Sequence, residues 1–329
     1  MNKFLSSCFI LFTTVISLEI LLRLFIPFYQ SGNISNYKYD INLGIKLKEN
    51  LNDVKITDHR QEVITNQYGT LNYENNFSKY DKLIYTIGDS NTAGSGVTFD
   101  NSYPFIMYTD LNSIDENSWG VINVAVAAYG TKQAILMYDS IVAKLKKPKF
   151  VTYLADKNDY MGDIYFEKGD KHNHLVDGSP RFFGFAKYIG IISNEVEILK
   201  RLKYFLHKKD INKNYHKKEF NFKKVFYNNY SNKILNLNNR LNKENITLIF
   251  SWQTFGKNTE KICKDEYNTV KEWANNNNII FADWCPSFLK IRELNENIPV
   301  MNDHSASHAR SWVNRIISKS FQEEILRIN

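Results

Sequence analysis

The chain predicts a three-layer α/β/α sandwich around a parallel five-stranded sheet, preceded by an N-terminal transmembrane helix. Three observations carry this expectation. From residue 81 onward, short continuous apolar runs alternate with stretches of helical spacing; turn residues end the runs; and the first 30 residues differ in composition from everything after them. Strands that alternate with helices favour a parallel sheet covered on both faces. With 329 residues and 43% apolar content, the chain has enough material for one sizeable core and some appendages.

The first element is the apolar stretch from Phe4 to Tyr29, preceded only by Lys3 and the terminal amine. It reaches the roughly 20 residues needed to cross a bilayer. Glu19 and Arg23 interrupt it one helical turn apart, where they can pair or sit at the far interface. No alanine precedes Ala93 and no small-residue cleavage site follows the run, which favours an uncleaved anchor over residues 1–30 rather than a removed signal peptide. Lys38, Lys46 and Lys48 follow the anchor and rival Lys3, so export of the domain rests on the signal-like shape of this segment. Residues 31–80, with Gly32, Gly44 and Gly69 and no sustained period, read as a stalk or N-terminal flap.

Residues 81–329 carry the domain. Leu83–Ile87 is the first predicted strand, ended by Gly88-Asp89-Ser90, and a helix follows near Tyr103 to Leu111. Val121 to Ala128 is the second apolar run. Lys132 to Lys146 then has helical spacing, with Ile135, Leu136, Ile141, Val142 and Leu145 on one side. Phe150–Leu154, Ile246–Trp252 and Ile279–Trp284 are the remaining strands, with a helix over Lys264 to Ala274 and a closing amphipathic helix over Trp312 to Ile328. Residues 160–225 interrupt this pattern as an aromatic and Lys-rich insertion, including Arg181-Phe182-Phe183-Gly184-Phe185 and a predicted helix over Ile191 to His207. An insertion at that place either shapes a substrate pocket or packs as an extra layer.

The formal net charge of +7 is spread through polar, Asn-rich segments and joins no nucleic-acid motif, so no nucleic-acid partner is expected and the charge reads as solubility and attraction to anionic surfaces. Cys8 lies inside the anchor, where ordinary packing accounts for it. Cys263 and Cys285 are able to pair in an oxidising compartment, but sequence does not place them within bonding distance. His59, His172, His174, His207 and His216 form no metal-ligand spacing, and no metal or organic cofactor is expected.

The residues able to carry chemistry gather at predicted strand ends. Gly88-Asp89-Ser90-Asn91-Thr92 follows the first strand, where open α/β sheets present their active residues. Taken alone, this segment reads first as a turn in which Asp89 or Ser90 caps a helix, ahead of a nucleophile. Ala127-Ala128-Tyr129-Gly130 ends the second run with small residues that leave backbone N–H groups open, and Asn158-Asp159 follows the third strand with an amide donor. Asp303-His304 stands just before the final helix. Ester hydrolysis needs a nucleophile, a base, a carboxylate that orients the base, and donors aimed at the developing oxyanion. All four kinds of group are present.

This ordered set resembles the SGNH hydrolase superfamily of GDSL-like esterases over about residues 60 to 327. The nucleophile block reads Ile87-Gly88-Asp89-Ser90-Asn91-Thr92-Ala93-Gly94-Ser95-Gly96-Val97. The second reads Asn123-Val124-Ala125-Val126-Ala127-Ala128-Tyr129-Gly130-Thr131-Lys132-Gln133, with Ala128 at the position where glycine is expected. The third reads Leu154-Ala155-Asp156-Lys157-Asn158-Asp159, with Lys157 where glycine is usual. In the last block Asn302 and Met301 occupy the positions where the family carries an aspartate, and Asp303 is the nearest carboxylate. Thr65-Asn66-Gln67-Tyr68-Gly69 also resembles an element found ahead of the nucleophile in anchored members. The resemblance implies a flavodoxin-like fold with Ser90 as nucleophile, His304 as base and Asp303 or a backbone carbonyl orienting it. His308 is a rival base. Ser90, Ala128 and Asn158 would form the oxyanion hole. It further implies acyl hydrolysis or transfer, with O-acetyl groups of cell-surface carbohydrate as the leading substrate class for an anchored, extracytoplasmic member, and lipid or small-molecule esters left open. A domain that has lost catalysis and serves as an envelope binding or assembly module is the alternative.

Overall fold

The computed structural model describes residues 2–25, 36–40, 42–56, 60–116, 118–168, 198, 222–253, 263–302 and 305–329. The expected aromatic segment at 181–185 lies outside the described residues. So do His59, His172, His174, His207, His216, Asp303 and His304, and all of the expected helix over 191–207 except Ile198.

Helix α1 (Asn2–Phe25) is long and apolar enough to cross a membrane, with a window at Leu5–Leu22 of mean hydropathy 2.1 and no part of it buried in the protein. Glu19 on this helix accepts a hydrogen bond from the Ile198 N–H at 3.1 Å, so the acidic residue in the apolar run meets the insertion.

The core is a parallel sheet of β5 (Lys82–Gly88), β6 (Trp119–Asn123), β7 (Phe150–Asp156), β8 (Thr247–Gln253) and β9 (Ile280–Phe281). Its order is β6-β5-β7-β8-β9, all parallel, which is the flavodoxin-like order when these strands are counted from the first. Every residue of β6 and β7 is buried, and all but the first of β5 and of β8. Both faces are therefore covered, as the continuous apolar runs require. The last strand is shorter than expected: only Ile280 and Phe281 pair, Ala282 still donates its N–H to Phe250 O at 2.8 Å, and Asp283 and Trp284 leave the ladder.

Helix α2 (Tyr103–Ile114) packs on β6 and on the closing helix α8 (Ser311–Ile328), with Tyr103 stacked on Phe321 at 5.5 Å. Helix α3 (Thr131–Val142) packs on β5, α4 (Asp159–Lys168) and α5 (Ser231–Lys243). Helix α6 (Asp265–Asn276) lies on β8 and β9, where Trp273 and Trp252 meet Phe226 edge-on. Helix α7 (Cys285–Leu294) follows, and a short antiparallel pair, β10 (Met301–Asn302) and β11 (Ser305–Ala309), precedes α8.

Residues 36–80 are more ordered than the sequence suggests. They form two antiparallel hairpins, β1 (Tyr37–Asp40) with β2 (Gly44–Leu47) and β3 (Asn52–Ile56) with β4 (Arg60–Ile64). Leu43, Ile45, Leu47, Val63, Leu71, Phe77 and Tyr80 are buried in the same core as the sheet. Gln133 Nε2 donates to the Leu43 carbonyl at 2.8 Å, and the Tyr129 hydroxyl donates to that of Ile45, so the first hairpin is fastened to the start of α3. The open edge of β6 is capped by Asn72, which donates to Val121 O at 2.7 Å and accepts from Asn123 N at 3.1 Å. These bonds occupy backbone groups that an edge strand otherwise offers to another chain.

Candidate active site

The sheet order reverses around β5, so the C-terminal ends of β5 and β7 border the crevice where open α/β sheets bind ligands. Ser90 stands at the first of these ends. The chain turns sharply after Gly88, where an added Cβ would come within 2.2 Å of Thr92 Oγ1 and 2.9 Å of Leu154 O, so only glycine fits. The turn is closed by Ala93 N to Asp89 O and Ser95 N to Ser90 O, both at 2.8 Å, and Asn123 Nδ2 holds it from β6 through Thr92 O at 2.9 Å. Ser90 is 9% exposed and its hydroxyl donates to Asp89 Oδ2 at 3.2 Å. Asp89 Oδ1 accepts from the Asn91 N–H at 3.1 Å.

The second loop follows β6. Ala128 has a φ of 63°, the left-handed conformation that glycine adopts without cost. The backbone thus keeps the shape expected of a glycine there, and the methyl group is added to the half-buried surface beside it.

The third loop leaves β7 at Asp156. Asn158 is exposed, and its Nδ2 donates to Asp89 Oδ2 at 3.1 Å, the oxygen that also takes the Ser90 hydroxyl. The structure therefore brings the Ser90 hydroxyl and the Asn158 amide to one carboxylate oxygen, a convergence of two chain segments 68 positions apart by their residue numbers. Behind this pair stand carboxyl groups that sequence reasoning did not single out for chemistry. Asp156 is 4% exposed, and burial, reinforced by the negative charge of Asp89, pushes its carboxyl up to about 7. Asp159 is raised well above the usual carboxylate range, first by burial and then by the charges of Asp89, Asp156 and Asp163. Its Oδ2 lies 3.0 Å from the Tyr153 hydroxyl. Asp163 accepts from Lys132 N and Lys233 Nζ, each at 2.8 Å. Among the described residues, no group of three or more His, Cys, Asp or Glu side chains is placed to hold a metal ion.

The C-terminal block is tied to the same place. Ala309 at the end of β11 donates its N–H to Asn91 Oδ1 at 3.2 Å, joining β11 to the loop that follows Ser90. Met301 pairs with Ala309 and Asn302 with Ser305 across the β10–β11 ladder. His308 lies in β11 beside that anchor and is half-buried. The expected catalytic Asp303 and His304 fall between the two strands in sequence and lie outside the described residues. In the sequence, Asn91 and Asn123 stand out only as members of the nucleophile block and the second block; their signal is an amide at the buried end of a strand or in the turn that follows it.

No family model matches this chain, and no curated protein matches its sequence. Solved structures do. The chain is similar to the acetyl xylan esterase AlAXEase, with 15% identity over 74% of this chain and 99% of that one and a TM-score of 0.44. It is similar to a member of the lipolytic G-D-S-L family from Veillonella parvula, with 12% identity over 75% and 99% and a TM-score of 0.41. It is also similar to a variant acetyl xylan esterase from Geobacillus stearothermophilus, with 14% identity over 75% and 95% and a TM-score of 0.43.

Proposed function

We propose that the chain is a serine esterase of the SGNH type, anchored in a membrane by α1 and acting on small O-acyl esters, with O-acetyl groups of cell-surface carbohydrate as the substrate class. The observation that carries this reading is the meeting of the Ser90 hydroxyl and the Asn158 amide at the crevice end of β5 and β7. In the reaction, Ser90 Oγ attacks the ester carbonyl while His304 takes its proton, with Asp303 orienting the imidazole. The carbonyl oxygen becomes an oxyanion facing the N–H groups of Ser90 and Ala128 and the Asn158 amide, which turns from Asp89 to the new charge. His304 then protonates the departing alcohol, leaving an acyl-Ser90 ester. Water, deprotonated by the same imidazole, releases the acid and restores Ser90. A sugar hydroxyl in place of water would make the reaction a transfer.

Two features support the substrate size and the compartment. A methyl group at Ala128, where the resemblance expects glycine, would narrow an acyl site beside the proposed oxyanion, which suits an acetyl group. Cys263 and Cys285 are joined as a disulfide with Cα atoms 5.6 Å apart, and such bonds persist in oxidising compartments outside the cytosol. With α1 as an uncleaved anchor, residues 81–329 would then be the catalytic domain on the extracytoplasmic side. The test is hydrolysis of p-nitrophenyl acetate and butyrate by the full chain in detergent micelles, beside Ser90→Ala and His304→Ala. Acetate turnover that exceeds butyrate turnover and is lost in both variants is expected. Turnover that survives Ser90→Ala, or a folded wild type that cleaves neither ester, overturns the esterase reading and returns the domain to a binding role.

A further inference from the structure

Two buried groups behind the crevice have no part in the chemistry above. Asp156 closes β7 and Gln253 closes β8, and the two are partners across the parallel ladder. They are 4% and 0% exposed. Gln253 Nε2 donates to Asp156 Oδ2 at 2.9 Å, while Asp156 Oδ1 accepts the Asn158 N–H at 3.0 Å. From the other side, the buried Tyr230 hydroxyl lies 2.8 Å from Lys157 O and accepts the Tyr160 N–H. The turn that carries Asn158 is thus held at its backbone on both flanks. Continuing outward, the Asn158 amide reaches Asp89 Oδ2 and through it the Ser90 hydroxyl. An unbroken hydrogen-bonded path runs from the end of β8 to the nucleophile.

For stability alone this is a poor arrangement. A carboxyl group out of water, with Asp89 and Asp159 near it and Lys157 as the cation of its own turn, carries a desolvation cost that an apolar pair of the same volume avoids. What a satisfied polar pair supplies is one fixed geometry for the groups bonded to it. We propose that Asp156 and Gln253 are a positioning pair for the reaction: Gln253 orients the Asp156 carboxyl, and the carboxyl fixes the Asn158 turn so that its amide faces the oxyanion formed at Ser90. This rests on the esterase reading and on Asn158 as an oxyanion donor.

Four variants of the full chain in micelles test it: Asn158→Ala, Asp156→Leu, Asp156→Asn and Gln253→Met, with p-nitrophenyl acetate as probe. Asn158→Ala is expected to lower kcat about 10²- to 10³-fold, the loss typical of one oxyanion donor. Asp156→Leu and Gln253→Met are expected to lower kcat roughly 10- to 100-fold with little change in KM, as a donor displaced by a fraction of an ångström would. Asp156→Asn keeps an oxygen acceptor for the Asn158 N–H, and its new NH2 is matched once the Gln253 amide turns to present Oε1, which is buried without a hydrogen-bond partner among the described residues, so kcat is expected to stay within about threefold of wild type. Since the pair acts through Asn158, Asp156→Leu placed on Asn158→Ala should add almost nothing. An equal further loss on that background, or unchanged kcat in Gln253→Met, overturns the positioning role while leaving the esterase intact. Asn158→Ala with wild-type kcat overturns the donor role and the proposal together, and is told apart from failure of the esterase reading by the dependence on Ser90. A crystal structure of Gln253→Met in which Asn158 Nδ2 still lies within hydrogen-bonding distance of Asp89 overturns the proposal even where no ester is turned over.

Discussion

Ala128 holds a conformation that costs an L-residue roughly 1–2 kcal/mol relative to glycine. Ala128→Gly removes that strain but restores backbone freedom to the unfolded chain, worth roughly 0.4–1 kcal/mol in the other direction. A net gain of about 0.5–1 kcal/mol is expected, read as a higher urea midpoint at unchanged m value. The same variant deletes the methyl beside the proposed oxyanion site, so its turnover of p-nitrophenyl butyrate should rise relative to acetate. An unchanged ratio would place Ala128 away from the acyl group. The position was legible in sequence because a run of small residues after an apolar strand marks an open backbone. The places of Ser90 and Asn158 were legible for another reason, each following the end of an apolar strand. Asp156 and Gln253 were not singled out, although an acid and an amide closing two buried strands are the matching signal: polar groups at the end of an otherwise apolar strand must find partners. Asp303 and His304 rest on the resemblance of their block alone.

Among the elements, the sheet strands β5 to β8 were legible because a fully buried parallel strand must be apolar on both faces. The hairpins β1–β2 and β3–β4 were not. Strands of four or five residues give too few alternations to stand out, and β2, with Gly44 and Lys46 half-buried and Ile45 and Leu47 buried, shows period two for only two cycles. Their place in the fold comes from contacts far along the chain, such as Gln133 to Leu43, which no local pattern reports. The disulfide is of the same kind: spacing left it open and packing brought the two cysteines together. It ties the start of α6 to the start of α7 across 22 positions. Closing a loop of that length removes about 3 kcal/mol of freedom from the unfolded chain. Reduction, or Cys285→Ser, should therefore lower the unfolding free energy in urea by about 3 kcal/mol. An equal midpoint with and without reductant would show that α6 and α7 are held by their apolar contacts alone.

On the scale of the whole molecule, two electrostatic effects pull stability in opposite directions as pH changes. The chain carries a net charge of +7, so raising the pH toward its isoelectric point near 9 relieves self-repulsion. That repulsion is spread over the surface and is screened beyond about 10 Å at 0.1 M salt. Exposed pairs such as Glu74 with Lys79, whose bond lowers the Glu74 carboxyl, also favour the folded state once ionised, but weakly at a surface. Asp156 and Asp159 act the other way and are buried, where screening does not reach. Asp156 is pushed from the ordinary 3.8 up to about 7 by burial, so between those values the folded chain keeps a proton that the unfolded chain has released. The folded state binding more protons, stability falls as pH rises through that window, and the contribution present below pH 4 is lost by about pH 7. Asp159, raised well above its ordinary value, extends the loss to higher pH. The buried pair should win, because its charges sit out of water and next to one another. The urea midpoint of the full chain in micelles is thus expected to be higher at pH 5 than at pH 8, and Asp156→Asn, which cannot ionise, should narrow the difference by raising the midpoint at pH 8. A wild-type midpoint that climbs from pH 5 to pH 8 would mean that surface repulsion governs, and that the carboxyls behind Ser90 are already ionised in the folded protein.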